Sequence, residues 1–147
     1  IVYRSTSRDF KGWANVVTKR QYISSGTPWE EQVGYSRAVR VGQMVFVTGT
    51  VAADEHGQIH APGDPYKQTC YVLQKIGLAL QEAGSDTKDL VRTRIYITDM
   101  AHADEVGRAH KELLGSIRPA TTMVCVNGLW GEGSVVEIEV DAIIGDF

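Results

Sequence analysis

Three carboxylates alternate along one stretch of the chain, Glu137, Glu139 and Asp141, and a spacing of two puts them on one side of an extended strand. Val136, Ile138, Val140 and Ala142 take the other side, which is apolar enough to be core. The run Val91-Arg92-Thr93-Arg94-Ile95-Tyr96-Ile97 alternates in the same way, with Arg92, Arg94 and Tyr96 together and Val91, Thr93, Ile95 and Ile97 opposite them. On a further strand Thr121, Met123 and Cys125 share a face by the same parity. Expected together, carboxylates, guanidinium groups, a phenol, a thioether and a thiol make a surface too polar for a core and too mixed for plain solvent. It reads as an interface or a cleft. A carboxyl group in such a place moves protons or orients water, and an arginine fork holds a small acid. Metal chemistry is not expected: His56 and His60 lie in a Gly-containing loop, His102 and His110 stand eight apart on a helix, and neither spacing converges on an ion. Cys125 has no histidine near it in sequence and reads as an inert strand thiol.

The elements that must carry these residues follow from periodicity and from chain breakers. Gln21 to Ser24 reads as a strand, Ser25-Gly26-Thr27-Pro28 as a turn and Trp29 to Gly34 as a loop. Arg37 to Val41 and Met44 to Gly49 form a hairpin around Gly42-Gln43, with Val39, Val41, Val45 and Val47 expected to share the core face. Residues 54–64 are rich in turn formers and read as a loop or loose hairpin. After Pro65, the spacing of Cys70, Leu73, Ile76, Gly77 and Leu80 predicts a helix ending at Gly84 in a left-handed cap. A second helix is predicted from about His102 to Leu114, with Asp99 as a cap and Gly115 beyond its last turn. This order describes an α+β domain in which two helices cover one face of a mixed β-sheet.

At 147 residues and 43% hydrophobic, the chain fits one domain with a core of its own. Residues 1–20 mix basic and small polar side chains around Trp13 without a clear period and read as an N-terminal extension; residues 21–147 read as the domain. A net charge of −3 lacks the basic field that phosphate binding requires, so nucleic acid is not the expected partner. No apolar run approaches the ~20 residues of a membrane span, and no signal-peptide core is visible. Cys70 and Cys125 are expected as reduced core thiols, consistent with a cytoplasmic protein without a membrane partner.

Several separated segments, Gly34-Tyr35-Ser36-Arg37-Ala38-Val39, Val45-Phe46-Val47-Thr48-Gly49, Pro119-Ala120-Thr121-Thr122 and the acid-bearing strand Val135 to Asp141, occur in the order found in the RidA/YjgF family of reactive enamine/imine deaminases, which the chain resembles over roughly residues 21–147. The resemblance implies a chorismate-mutase-like protomer, a homotrimer with three inter-subunit clefts, a small-molecule substrate and no cofactor. It implies hydrolysis of an enamine or imine to a carbonyl product and ammonia. The endoribonuclease activity also attached to the family is disfavoured by the acidic balance. By the same resemblance Tyr35 flanks the ligand, Thr48 and Gly49 bind it, Glu137 positions the catalytic water, and Met123 stands where the family has a smaller residue. Trp130 either stacks over a ligand at the cleft mouth or packs on a neighbouring subunit.

One position departs from the pattern. The family reads Pro-Ala-Arg-Ser, with the arginine holding the substrate carboxylate, and here that residue is Thr121. A hydroxyl cannot replace a charged fork, so an altered substrate range is expected, together with slow turnover of 2-aminoacrylate. The alternative is a non-catalytic trimer that binds a small metabolite. Among possible substitutes, Arg118 points to the wrong face by parity, Arg94 is expected to pair with an acid, and Arg37 is expected to turn to solvent. An arginine inside the cleft favours the enzyme; a dry, apolar cleft favours the binding protein.

Overall fold

A computed structural model of the protein describes residues 19–145; the extension expected over residues 1–20 lies outside them apart from its last two residues. Strands β1 (Arg20–Ile23), β2 (Ala38–Val41), β3 (Met44–Val51), β4 (Leu90–Ile97), β5 (Ala120–Cys125) and β6 (Val136–Ile143) build one sheet in the order β1-β2-β3-β6-β4-β5. Only the β4–β5 pairing is parallel. A parallel pair needs a crossover, and helix α3 (Ala103–Leu114) supplies it. Helix α2 (Pro65–Glu82) makes the other long connection, and the two pack side by side over the apolar face formed by Val45, Val47, Ile95, Ile138 and Val140. Asp64 caps α2 by accepting from the Lys67 amide (2.9 Å), and Gly84 follows it at φ 75°. The α+β class and the two helices on one face are as the sequence pattern implies.

Four details differ. The expected loop at 29–34 is a short helix, α1 (Pro28–Val33). Pro28 presets its first turn, Glu30 and Glu31 sit at its positive end, and Gly34 closes it at φ 81°. The Glu30 carboxylate is buried and accepts from Ser24 Oγ (2.6 Å) and the Ser25 amide (2.9 Å). Burial acts to raise its pKa, but the hydrogen bonds from Ser24 and Ser25 outweigh that, and the carboxyl sits below its usual range.

In the hairpin, Val41 pairs with Met44 and Ala38 with Val47. Direct partners share a face, so Val39 and Val41 lie with Phe46 and Met44, opposite the buried Val45 and Val47. A two-residue turn makes odd-numbered residues of one strand face even-numbered residues of the other. In β4 the register shifts between Leu90 and Arg92, so Leu90 takes the inward place expected of Val91, which is exposed.

The fourth difference concerns β5. Thr121, Met123 and Cys125 pair with Thr93, Ile95 and Ile97, the helix-side residues of β4. They therefore do not share the face of Arg92, Arg94 and Tyr96; Ala120, Thr122 and Val124 do. Parity groups residues on one strand, but only the register with β4 decides which side of the sheet they occupy. Cys125 is also exposed on this edge strand rather than buried.

Candidate functional site

The charged face forms as the alternation predicts. Arg94 pairs with Glu139 and Asp141, each at 3.3 Å, Arg92 reaches Asp141 at 3.6 Å, and the Tyr96 hydroxyl donates to Glu139 (3.1 Å). Glu137 is left out of this network: among the described residues it has no ion-pair partner. Burial pushes its carboxyl pKa up, the neighbouring Glu139 charge adds to this, and Arg37 opposes it.

Glu137 stands in a groove of about 580 Å³ that opens where β3 outruns β2. The β2–β3 pairing ends with the Thr48 amide donating to the Arg37 carbonyl (3.1 Å), and β3 bulges there, since Val47 faces Val140 while Thr50 faces Ile138. One extra residue thus sits at Thr48-Gly49, which kinks the strand and turns its backbone toward the neighbouring Glu137. Gly49 is essential to that approach: a Cβ there would collide with Glu137 Oε1 and stand 3.1 Å from its Cδ.

Aromatic rings wall the groove. Trp29, carried by α1, meets Trp130 edge to face with ring centroids 5.1 Å apart and planes at 69°, a favoured aromatic geometry. Trp130 is half exposed and belongs to the long loop before β6. The buried Gln68 anchors that loop: its Nε2 donates to the carbonyls of Gly133 (2.8 Å) and Ala61 (3.1 Å), and its Oε1 accepts from the Val135 amide (2.9 Å). One side chain from α2 therefore fixes two loops at once.

Two cations line the same space. Arg37 Nη1 donates to Thr50 Oγ1 (3.0 Å) and Gly49 O (3.4 Å), and Nη2 lies 3.5 Å from the Tyr35 hydroxyl. Lys75, from α2, donates to the Ala53 carbonyl, and its pKa is lowered first by burial and then by Arg37. The expectation that Arg37 turns to solvent is wrong. Ala38 points into the core, so the alternation aims Arg37 at the opposite side, where the kinked end of β3 leaves room.

The endoribonuclease L-PSP family model matches residues 27–144. The chain belongs to this family. Its fold also matches the crystal structure of a YjgF/YER057c/UK114 family member from Mycobacterium tuberculosis, 44% identical, with a TM-score of 0.78 over 86% of this chain and 100% of the other. An uncharacterized protein of Streptomyces coelicolor is 40% identical over 84% of this chain and 91% of its own. The 2-iminobutanoate/2-iminopropanoate deaminase of mouse is 31% identical over 77% of this chain and 83% of its own. The RidA/YjgF assignment made from the motifs is thereby established.

Within this RidA/YjgF protomer, Tyr35, Thr48, Gly49, Trp130 and Glu137 line one groove. Thr121 and Met123 do not. Thr121, where the resemblance implies an arginine, is on the far edge strand of the sheet. Its hydroxyl lies 2.8 Å from Thr93 Oγ1 and 3.5 Å from His110 Nε2, and it is within hydrogen-bond distance of the Pro119 carbonyl (3.0 Å). Met123 packs against the core. Arg118, at φ 55° after α3, is near Thr121 and not in the groove. Trp29, Arg37, Lys75 and Gln68 are the residues that sequence reasoning missed. Pro28 followed by two acids and Gly34 was a helix signal that could have placed Trp29. Nothing local marks Lys75 or Gln68, whose roles depend on where α2 lands.

Proposed function

We propose that this RidA/YjgF protein hydrolyses reactive enamine/imine intermediates to a carbonyl product and ammonia in the groove around Glu137. The carrying observation is a half-buried carboxyl that lacks a cation partner among the described residues and lies against Gly49. A carboxyl with a raised pKa holds a proton at higher pH than an exposed one, so it can protonate an imine nitrogen and then, as carboxylate, orient water onto the imine carbon. Water adds to that carbon and gives one proton back to the carboxylate; the carboxyl then protonates the amine of the carbinolamine and regains the proton of its hydroxyl as the C–N bond breaks, the carbonyl forms and ammonia leaves. The three charged side chains that line the groove, Arg37, Lys75 and Glu137, support this enzyme over a dry metabolite-binding protein.

We further infer a homotrimer in which the open side of the groove is closed by a neighbouring subunit. The free thiols Cys70 and Cys125 fit a reducing compartment such as the cytoplasm. The experiment is ammonia release from 2-aminoacrylate generated in place by a serine dehydratase, with light scattering for the mass in solution. The expected result is a trimer with slow turnover that Glu137→Gln lowers by about 10²-fold or more. An unchanged rate in Glu137→Gln, or a monomer with full activity, refutes the corresponding part.

A further inference from the structure

The family arginine that grips the substrate carboxylate is missing at Thr121, but the groove holds a guanidinium from another place in the chain. Arg37 Nε is buried and has no hydrogen-bond partner among the described residues. Its other nitrogens touch only neutral oxygens, those of Thr50, Gly49 and Tyr35, and two of these contacts are long, at 3.4 and 3.5 Å. A guanidinium has five N–H donors and its best acceptor is a planar carboxylate. Lys75 faces the same groove and feels the Arg37 charge. Acids stand around both cations, Glu30 and Glu137 near Arg37 and Asp54 and Glu55 near Lys75, but among the described residues none of them forms an ion pair with either. A buried guanidinium N–H without an acceptor, in a groove that Lys75 also lines, fits an anionic ligand that can accept from it.

The remaining wall says what else that ligand carries. Trp29 and Trp130 form an edge-to-face pair beside Tyr35, and a groove of about 580 Å³ falls in the range of sites for ligands far larger than a three-carbon acid.

We propose that Arg37, assisted by Lys75, is the carboxylate clamp of this protein, and that its substrates are 2-imino acids bearing an aromatic or bulky apolar side chain that lies against Trp29 and Trp130. The inference rests on the groove being the substrate site. It moves the anion site from the family position to the strand that carries the groove itself, so the protomer holds both the acid group and Glu137 without a residue at 121.

The test is calorimetric binding of the 2-oxo acid products, phenylpyruvate and pyruvate, which requires no turnover. Wild-type protein should bind phenylpyruvate about tenfold or more tighter than pyruvate, and Arg37→Gln should weaken both by about 30-fold. Lys75→Met should weaken both by a smaller factor, and Trp130→Ala should remove mainly the preference for phenylpyruvate. Circular dichroism confirms folding. If Arg37→Gln fails to fold, Arg37→Lys, which keeps the charge but loses the fork, should still weaken binding by about tenfold. Binding by a folded Arg37 variant within about twofold of wild type overturns the clamp, as does wild-type protein that binds neither acid. Arg37-dependent binding without ammonia release leaves the clamp standing and refutes the hydrolysis; release at the wild-type rate by Arg37→Gln does the reverse.

Discussion

The backbone of Gly49 lies so close to the carboxylate of Glu137 that a side chain there would collide with it, and Gly49→Ala tests this approach directly. Gly49 does not occupy the left-handed region, so alanine suits its backbone and should stabilise by about 0.4–1 kcal/mol through the unfolded chain. Against that, the new methyl would occupy the space of Glu137 Oε1. An extra methyl in a filled site costs about 1–3 kcal/mol, less whatever Glu137 recovers by swinging aside. Gly49→Ala should therefore be neutral to destabilising by about 2 kcal/mol in the wild-type background. At about 2–4 °C per kcal/mol for a chain of this size, the melting temperature drops by up to about 8 °C. In a Glu137→Ala background the obstacle is gone and the same substitution should raise it. Thermal unfolding of all four proteins in the cycle gives the coupling, expected at about 1 kcal/mol or more. In parallel, Gly49→Ala should lose ammonia release as completely as Glu137→Gln, because its carboxyl is displaced rather than removed. Equal effects of Gly49→Ala with and without Glu137 would refute the contact and the mechanism built on it.

Gln68→Leu keeps the volume of a buried side chain but leaves the Val135 amide without its acceptor, while the Gly133 and Ala61 carbonyls keep the amides of Gly63 (2.8 Å) and Asp64 (3.0 Å); at about 1–3 kcal/mol for one buried unsatisfied group, unfolding in urea should show a loss of that size. Burial lowers the pKa of His110 from 6.5, so on acidification the unfolded chain takes up this proton first. Its stability contribution is intact above about pH 6.5 and falls as pH drops from there to the depressed folded value. Denaturant midpoints between about pH 8 and pH 5 should show that decline in wild type and a shallower one in His110→Gln; parallel slopes would remove the imidazole as the cause.

Most of the scaffold was legible because its signals are local. Alternation along 136–142 placed Glu137, Glu139 and Asp141 on one face, and Pro65 and Gly84 bounded α2. The three errors of strand face share one origin: the hairpin valines, Val91 and the β5 triplet were each grouped on the wrong side because a turn, a bulge or a parallel register inverted a parity that was correct along its own strand. Arg37 was assigned to solvent for a related reason. Its neighbour Ala38 is core, and only the kink at Thr48-Gly49 turns the opposite side into a groove.

By itself the sequence determined the family, the α+β order of the strands and the two long helices, the acidic face of β6 and the threonine at 121, since each is written in residue type and short-range period. The tertiary structure alone decided which charges meet. Glu139 and Asp141 were matched with Arg92 and Arg94, while Glu137 was set apart beside Gly49 with Arg37 and Lys75 across the groove. That choice depends on cross-strand register and helix placement, which bring together residues as distant in sequence as Arg37, Lys75 and Glu137, and no pattern local to any one of them encodes the meeting.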